Sequence, residues 1–211
     1  MFIKAAFALA TISALGNLAH AQDERFWRRM LLGDVSRENE KAVPEPKYVF
    51  VGATHKLDLT GDGIPEGLRI TKRDLLDGLE VLHADGRTLF SGALLPAGVD
   101  ARIERLRLVR LSPSVTTLIL YYYEGKTSSS KLEATGRLWF LTWTDGQLGR
   151  ATLSGGPRFW HEFEKVREQY GRRRRAVNVQ DYDQDGVKDI LVAYHHTMSV
   201  WRFRDGKWEG N

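Results

Sequence analysis

The feature that most constrains this chain is an aspartate-rich loop. Four aspartates stand at positions 1, 3, 5 and 9 of a nine-residue stretch: Asp181, Asp183, Asp185 and Asp189. Carboxylates this close repel one another unless a cation lies between them, and calcium prefers such oxygen ligands. Gly186, at position 6, permits the sharp turn that a loop makes around an ion. The pattern predicts a calcium site, and a solvated acidic turn is the alternative.

The residues around this loop refine the prediction. Val187, at position 7, offers a backbone carbonyl as a further ligand. Position 12 is Val192 instead of the glutamate of an EF-hand, and no helical pattern flanks the loop. The apolar run Ile190 to Tyr194 is typical of a strand buried on both faces. We therefore expect a strand–loop–strand unit.

A weaker copy of the loop lies earlier in the chain. It has the same spacing, with Gly63 at position 6 and Thr60 in place of one carboxylate. Because a hydroxyl carries no charge, we expect lower calcium affinity here. The candidate ligands are Asp58, Thr60, Asp62, Ile64 (through its carbonyl) and Glu66.

The strands around the loops also repeat. An alternating strand, an Asp-Gly turn and another strand recur in Leu79–Phe90, Leu138–Leu148 and Val200–Trp208, which is a strong hairpin signal. In the middle copy, Leu111–Ser114 stands where the calcium loop would be and carries no carboxylate. We predict three units of one design. They span about residues 48–92, 105–150 and 175–209 of a β-repeat domain at 48–211.

The last loop and the apolar run after it resemble the FG-GAP/VCBS family of integrin-like calcium-loop β-repeats. The resemblance implies bound Ca²⁺ and four-stranded blades. Three units are fewer than a closed propeller usually has. The expected fold is therefore all-β, with three β-propeller-blade-like repeats in an incomplete propeller, a compact β-sandwich or a ring completed by another subunit.

Two short helices are expected beside the strands. Asp23–Gly33 places apolar residues at helical spacing, as does Arg158–Tyr170, where Phe159 and Phe163 are four residues apart. Gly171 would end the second helix.

The N-terminal residues read as a targeting segment. Residues 1–21 combine Lys4, an apolar run and the small-x-small sequence Ala19-His20-Ala21, which predicts a signal peptide; an uncleaved anchor is the alternative. Residues 22–47 would then form a helix and a linker. The expected location is periplasmic or secreted. The chain has no cysteine, which excludes disulfides and thiolate metal sites.

A run of arginines follows the second predicted helix. Arg172, Arg173, Arg174 and Arg175 could contact an anionic group, or could simply face solvent. Because 31 basic residues stand against 27 acidic ones, the overall charge is mild and no nucleic-acid partner is expected.

Catalytic motifs are not apparent in the sequence. His161-Glu162 begins like a helical zinc-protease motif, but Lys165 stands where the second histidine is needed. His195 and His196 follow the last buried strand, where adjacent residues point to opposite faces and cannot easily bind one metal together, so we expect a surface pair at the end of a loop. Four hairpin tryptophans could stack on sugars, although core packing is the commoner role: Trp139, Trp143, Trp201 and Trp208.

These observations support three hypotheses. The first is an exported, calcium-stabilised β-repeat protein that acts as a binding module at the bacterial envelope, with a protein partner or an envelope surface as its target. The second is a carbohydrate-binding, lectin-like protein. The third is an envelope hydrolase that uses carboxylate chemistry.

Overall fold

The computed structural model describes residues 54–73, 76–95, 98, 100–126, 133–165 and 169–211. All of them belong to the compact unit Glu40–Asn211. The predicted signal peptide, the helix at Asp23–Gly33, the linker and the start of the first repeat lie outside the described residues.

The described residues form three antiparallel sheets in which consecutive strands are neighbours. The first sheet contains β1 (Thr54–Leu57), β2 (Glu66–Arg73), β3 (Leu76–Leu82) and β4 (Thr88–Leu94). The middle sheet contains β5 (Arg102–Arg110), β6 (Val115–Lys126), β7 (Ala134–Thr144), β8 (Thr152–Lys165) and β9 (Gln169–Arg174). The last sheet contains β10 (Ala176–Gln180), β11 (Asp189–Tyr194), β12 (Thr197–Arg204) and β13 (Lys207–Gly210). The all-β prediction is confirmed.

The central strands of the middle sheet, β6 and β7, are covered on both faces, since nearly all of their residues are buried. Successive side chains of a strand point to opposite faces. Leu118 and Leu120 therefore pack in a core shared with the first sheet, and Ile119 packs in a second core shared with the last sheet. Two apolar cores thus join the three sheets through the middle one.

The helix predicted at Arg158–Tyr170 is wrong, because this stretch forms β8 and β9. β8 pairs with β7 on one side and with β9 on the other. Gly156 lies inside β8, where an added Cβ would come within 2.5 Å of the Phe140 ring. The close approach of this ring and the pairing with β7 outweigh the helical spacing of the aromatic residues.

The only helix among the described residues is a single 3₁₀ turn, Leu148–Arg150, between β7 and β8. The Asp-Gly turn before it and the one between β12 and β13 have positive φ at both residues: 48° and 69° at Asp145 and Gly146, and 50° and 76° at Asp205 and Gly206. These angles are those of type I′ turns, whose twist matches that of the flanking strands.

Candidate metal centre

The aspartate-rich loop connects β10 to β11. One carboxylate oxygen from each of Asp181, Asp183 and Asp185 lies within 4.8 Å of the other two. Among the residues that the structure describes, no other three histidine or acidic side chains converge in this way. The chain thus brings three of its four predicted carboxylate ligands to one point.

Hydrogen bonds inside the loop fix its shape. Asp181 accepts the N–H groups of Asp185, at 3.1 Å, and Gly186, at 2.9 Å, on its two different oxygens. Asp185 Oδ1 accepts the N–H of Val187 at 2.8 Å. Gln184 and Gly186 have φ of 62° and 86°, so the chain turns twice through the left-handed region. Glycine accommodates that conformation without strain, which explains its place at position 6.

Asp189 stands apart from the three exposed aspartates because it is buried at the start of β11. Its Oδ2 accepts the N–H of Tyr182 at 3.1 Å. Burial raises the pKa of Asp189 above its usual range, and the nearby Asp183 carboxylate adds to this effect while the Tyr182 N–H opposes it. A cation at the loop would favour the charged form of this carboxyl.

Two arginines of β12 contact the loop. Arg202 Nε and Arg204 Nη2 donate to Asp183 Oδ2 at 3.0 and 2.8 Å. Arg204 also lies 3.7 Å from Asp185 Oδ2, and Arg202 lies 3.9 Å from Asp189 Oδ1. Neither arginine was predicted from the sequence as a neighbour of the loop. Their spacing does indicate that they lie together, because residues two apart on a strand share one face. The sequence does not show that this face meets the loop.

The donor set nevertheless fits a calcium ion. Asp183 Oδ1, Asp185 Oδ2 and Asp189 Oδ1 accept no hydrogen bond from a backbone N–H of the loop. Each oxygen of Asp181 accepts one N–H and keeps a second lone pair. With the Val187 carbonyl, these are the hard oxygen ligands that calcium prefers.

The first loop, between β1 and β2, repeats these hydrogen bonds. Glu66 Oε2 accepts the N–H of Leu59 at 2.8 Å, as Asp189 accepts that of Tyr182. Asp58 Oδ2 accepts the N–H of Gly63 at 3.0 Å, and Asp62 Oδ1 accepts that of Ile64 at 2.8 Å. The same three hydrogen bonds therefore occur in both loops. The carboxylates at positions 9, 1 and 5 accept the backbone N–H groups of positions 2, 6 and 7, respectively.

The backbone of the two loops agrees as well. Gly61 and Gly63 have φ of 81° and 85°, and they occupy the same positions as Gln184 and Gly186. The first loop differs at Thr60, whose hydroxyl lies 3.3 Å from Glu66 Oε1 and donates to it. One charged ligand is lost here, and the hydroxyl engages a carboxylate oxygen that would otherwise face an ion.

The middle sheet has a polar turn between β5 and β6, where the first and last sheets have the acidic loops. The Val115 N–H donates to Ser112 Oγ at 3.2 Å and to the Ser112 carbonyl at 3.3 Å. The Leu111 carbonyl accepts the N–H of Lys188 at 2.9 Å, which ties this turn to the last loop. The middle turn thus supports the neighbouring candidate site and supplies no carboxylate of its own.

The tryptophans named as possible sugar platforms are packed against other residues. Trp139 and Trp143 are buried in the first core. Trp201 and Trp208 are half-buried against the second core, and the Trp208 Nε1–H donates to Thr142 Oγ1 at 2.9 Å. These contacts favour the core role for all four rings.

The other residues considered in the sequence, the arginine run and the histidines, lie outside the two acidic loops. Arg172, Arg173, Arg174 and Arg175 are exposed on and just after β9. His161 Nε2 lies 3.5 Å from a Glu133 oxygen. His195 and His196 lie exposed in the turn between β11 and β12.

Comparison of the chain with protein-family models, with curated proteins and with solved structures returned no match. The resemblance to the FG-GAP/VCBS family therefore stays a prediction. Within the described part of the chain, no helix is sufficiently long and apolar to span a membrane.

Proposed function

We propose that this protein is an exported, calcium-stabilised β-repeat module that binds a protein partner at the bacterial envelope. The three sheets would be blade-like repeats, and Ca²⁺ would bind the last loop more tightly than the first. The observation that carries the proposal is the convergence of Asp181, Asp183 and Asp185 in a loop whose hydrogen bonds recur in the first sheet.

Calcium would act on stability in this proposal and would take no part in a reaction. Extracellular calcium modules have dissociation constants of about 10⁻⁴ to 10⁻³ M. At about 1 mM calcium, mass action then adds roughly 0.4–1.4 kcal/mol per site to the free energy of unfolding. This is sufficient to order a loop and small beside the contribution of the two cores.

Thermal unfolding tests the proposal. We expect the melting temperature to rise by about 1–5 °C between EDTA and about 1 mM calcium. The rise should shrink in Asp183→Ala/Asp185→Ala, which removes two of the three converging carboxylates. Asp85→Ala is a matched control, because Asp85 is an exposed aspartate in a hairpin turn outside both loops.

An equal calcium response in the protein and in the Asp183→Ala/Asp185→Ala variant would place the metal elsewhere. A protein that does not respond to calcium at all would leave the loop as a turn held by arginines. The lectin and hydrolase hypotheses have weaker support, since the tryptophans are packed in the cores and the histidines of the described strands and turns form no cluster with acidic side chains.

A further inference from the structure

Strand β9 forms an edge of the middle sheet, and β8 is its only strand neighbour among the described residues. The Arg175 N–H donates to the Phe159 carbonyl at 2.8 Å. In an antiparallel pair the hydrogen-bonded positions alternate. The N–H groups of Gly171 and Arg173 therefore point towards β8, and those of Arg172 and Arg174 point away from it, along the open edge.

The arginines of this strand are displayed on two sides. Arg172 and Arg174 share one face, and Arg173 and Arg175 share the other, because side chains alternate along a strand. All four are exposed. Arg172 lies opposite Glu162, but its Nε is 3.5 Å from the carboxylate and its side chain is 72% exposed. This pairing leaves most of the guanidinium open to a further anion.

One of these guanidinium groups is held in place by an aromatic ring. A Cβ at Gly171 would lie 2.5 Å from the Phe163 ring, so the ring covers this glycine closely. The Arg173 guanidinium lies 4.7 Å from the centre of the same ring, on the side of β8 that also carries His161. Stacking restrains the guanidinium and leaves its N–H groups available to a carboxylate.

Positive charge on an edge strand has a simple protective effect. It discourages two copies of the same edge from pairing. The same charge is complementary to an acidic strand, which would find main-chain donors along the edge and arginines on both faces. An extended peptide also places its side chains alternately on two faces. A lipid surface presents its charges to one side only, and a phosphate chain has no main-chain amide groups that could pair with the edge strand.

We propose that β9 binds an acidic, extended peptide segment of a partner protein by strand addition. This proposal rests on the proposed function as a binding module and names the chemistry of its partner. Main-chain hydrogen bonds to Arg172 and Arg174 would provide affinity, and carboxylates beside the arginines would provide selectivity.

The first experiment uses fluorescence anisotropy with a labelled octapeptide that carries four consecutive glutamates between threonines. Two N-methylated versions keep its charge: one is methylated at alternate residues and keeps one edge free, and the other is methylated at every residue and keeps neither edge free. Strand addition uses one edge of the peptide, so the fully methylated version should bind at least about tenfold more weakly and the alternately methylated version should bind like the parent. Inorganic polyphosphate of matched charge is the competitor for a purely ionic surface.

A pair of variants tests the strand itself. Arg172→Ser removes a charge and keeps the outward N–H, and Arg172→Pro removes both. Because this N–H does not bond to β8, the edge strand should tolerate the proline. We expect Arg172→Pro to bind the peptide about three- to tenfold more weakly than Arg172→Ser. Arg110→Ser, at an exposed position on β5 at the opposite edge of the same sheet, should bind normally.

Each other outcome overturns the proposal. Equal binding of the parent and the fully methylated peptide, equal binding of the two Arg172 variants, or displacement by polyphosphate as effective as by the peptide would show a charged patch without strand pairing. No binding to the parent peptide would reject the site altogether. The melting temperature with and without calcium, measured on the same preparations, shows separately whether the proposed calcium-stabilised module stands and whether the variants are folded.

Discussion

At the residue scale, one buried contact links the first and middle sheets. The Tyr122 hydroxyl of β6 donates to Asp77 Oδ2 of β3 at 2.8 Å, and both residues are fully buried. Among the residues that the structure describes, Asp77 Oδ1 has no hydrogen-bond partner. Burial raises the pKa of Tyr122 above its usual range, and the bond to Asp77 raises it further. The tyrosine thus provides the hydrogen bond that this buried carboxyl accepts.

Removal of the hydroxyl should therefore destabilise the protein. We expect Tyr122→Phe to lower the free energy of unfolding by about 1–3 kcal/mol, because a buried acceptor loses its donor. The double variant Tyr122→Phe/Asp77→Leu should lose less than the sum of the single variants, since it leaves no unpaired polar group. Urea unfolding measures all three. A Tyr122→Phe variant as stable as the parent protein would contradict this account.

The raised pKa of Tyr122 also predicts a dependence on pH. A group whose pKa is higher in the folded state than in the unfolded state stabilises the folded state. This stabilisation is fully present when the pH is below the unfolded pKa, about 10 for tyrosine, and it is lost as the pH rises above that value. The stability difference between the protein and Tyr122→Phe should then narrow above about pH 10, by up to about 1.4 kcal/mol per pH unit. Denaturant unfolding from pH 8 upwards measures it, with Tyr194→Phe as the control. A constant difference across this range would argue against the raised pKa.

At the scale of elements, the negative charge of the last loop is partly neutralised by two arginines of β12. Arg202 and Arg204 both donate to one oxygen of Asp183. They offset the repulsion among the aspartates and at the same time oppose a cation there. The loop can therefore keep its shape without metal, at the expense of calcium affinity.

Substitution of one arginine should separate these effects. We expect Arg204→Ser to bind calcium about two- to fivefold more tightly, because a nearby positive charge in a solvent-exposed pair contributes up to about 1 kcal/mol. The calcium dependence of the melting temperature, or direct calorimetric titration, measures the change. Arg150→Ser, on the 3₁₀ turn, is the matched control. Weaker calcium binding in Arg204→Ser would show that the arginine supports the ion-binding shape instead of competing with the ion.

The hairpin of β8 and β9 shows how tertiary contacts decide an element. Its aromatic residues have the spacing that predicts a helix ending at Gly171. In the structure Gly171 is a strand residue covered by the Phe163 ring. Neither the pairing with β7 nor this ring contact can be read from local spacing. The pairing joins β8 to a separate strand, and the ring contact exists only once the chain reverses direction between Phe163 and Gly171.

The role of Gly171 is testable. Gly171→Val should lower the free energy of unfolding by about 1–3 kcal/mol, because its side chain would overlap the Phe163 ring. Phe163→Ala should relieve most of this loss in the double variant, which a double-mutant cycle of thermal unfolding would show as coupling. If the glycine instead ended a helix, the two substitutions would be additive.

At the scale of the whole molecule, the middle sheet holds the other two. Leu118 lies in the first core and Phe140 in the second, on opposite faces of neighbouring strands. Loss of packing on either face thus weakens the one sheet on which both cores depend.

We expect Leu118→Ala and Phe140→Ala to lower the free energy of unfolding by about 2–5 kcal/mol each. Both variants should still unfold in a single calorimetric transition, because each damages the shared sheet. Ser91→Ala, at an exposed position on β4, should change little. A separate early transition in Phe140→Ala alone would mean that the last sheet unfolds independently of the other two.

The sequence by itself determined the features that depend on neighbouring residues. The all-β class follows from apolar runs and Asp-Gly turns such as Asp205-Gly206, and the wrapped shape of both loops follows from acids and glycines at fixed spacing. These are short-range effects of backbone conformation and local hydrogen bonds. The positions of Asp181 and Asp58 within their loops were therefore readable in advance.

Only the tertiary structure decided the contacts between distant segments. It placed Arg202 and Arg204 on the aspartate loop, paired Tyr122 with Asp77, and made strand β8 of residues with helical spacing. Such contacts depend on which sheet faces meet and on which strands become neighbours. Those choices arise from burial across the whole chain, and a local pattern does not contain them.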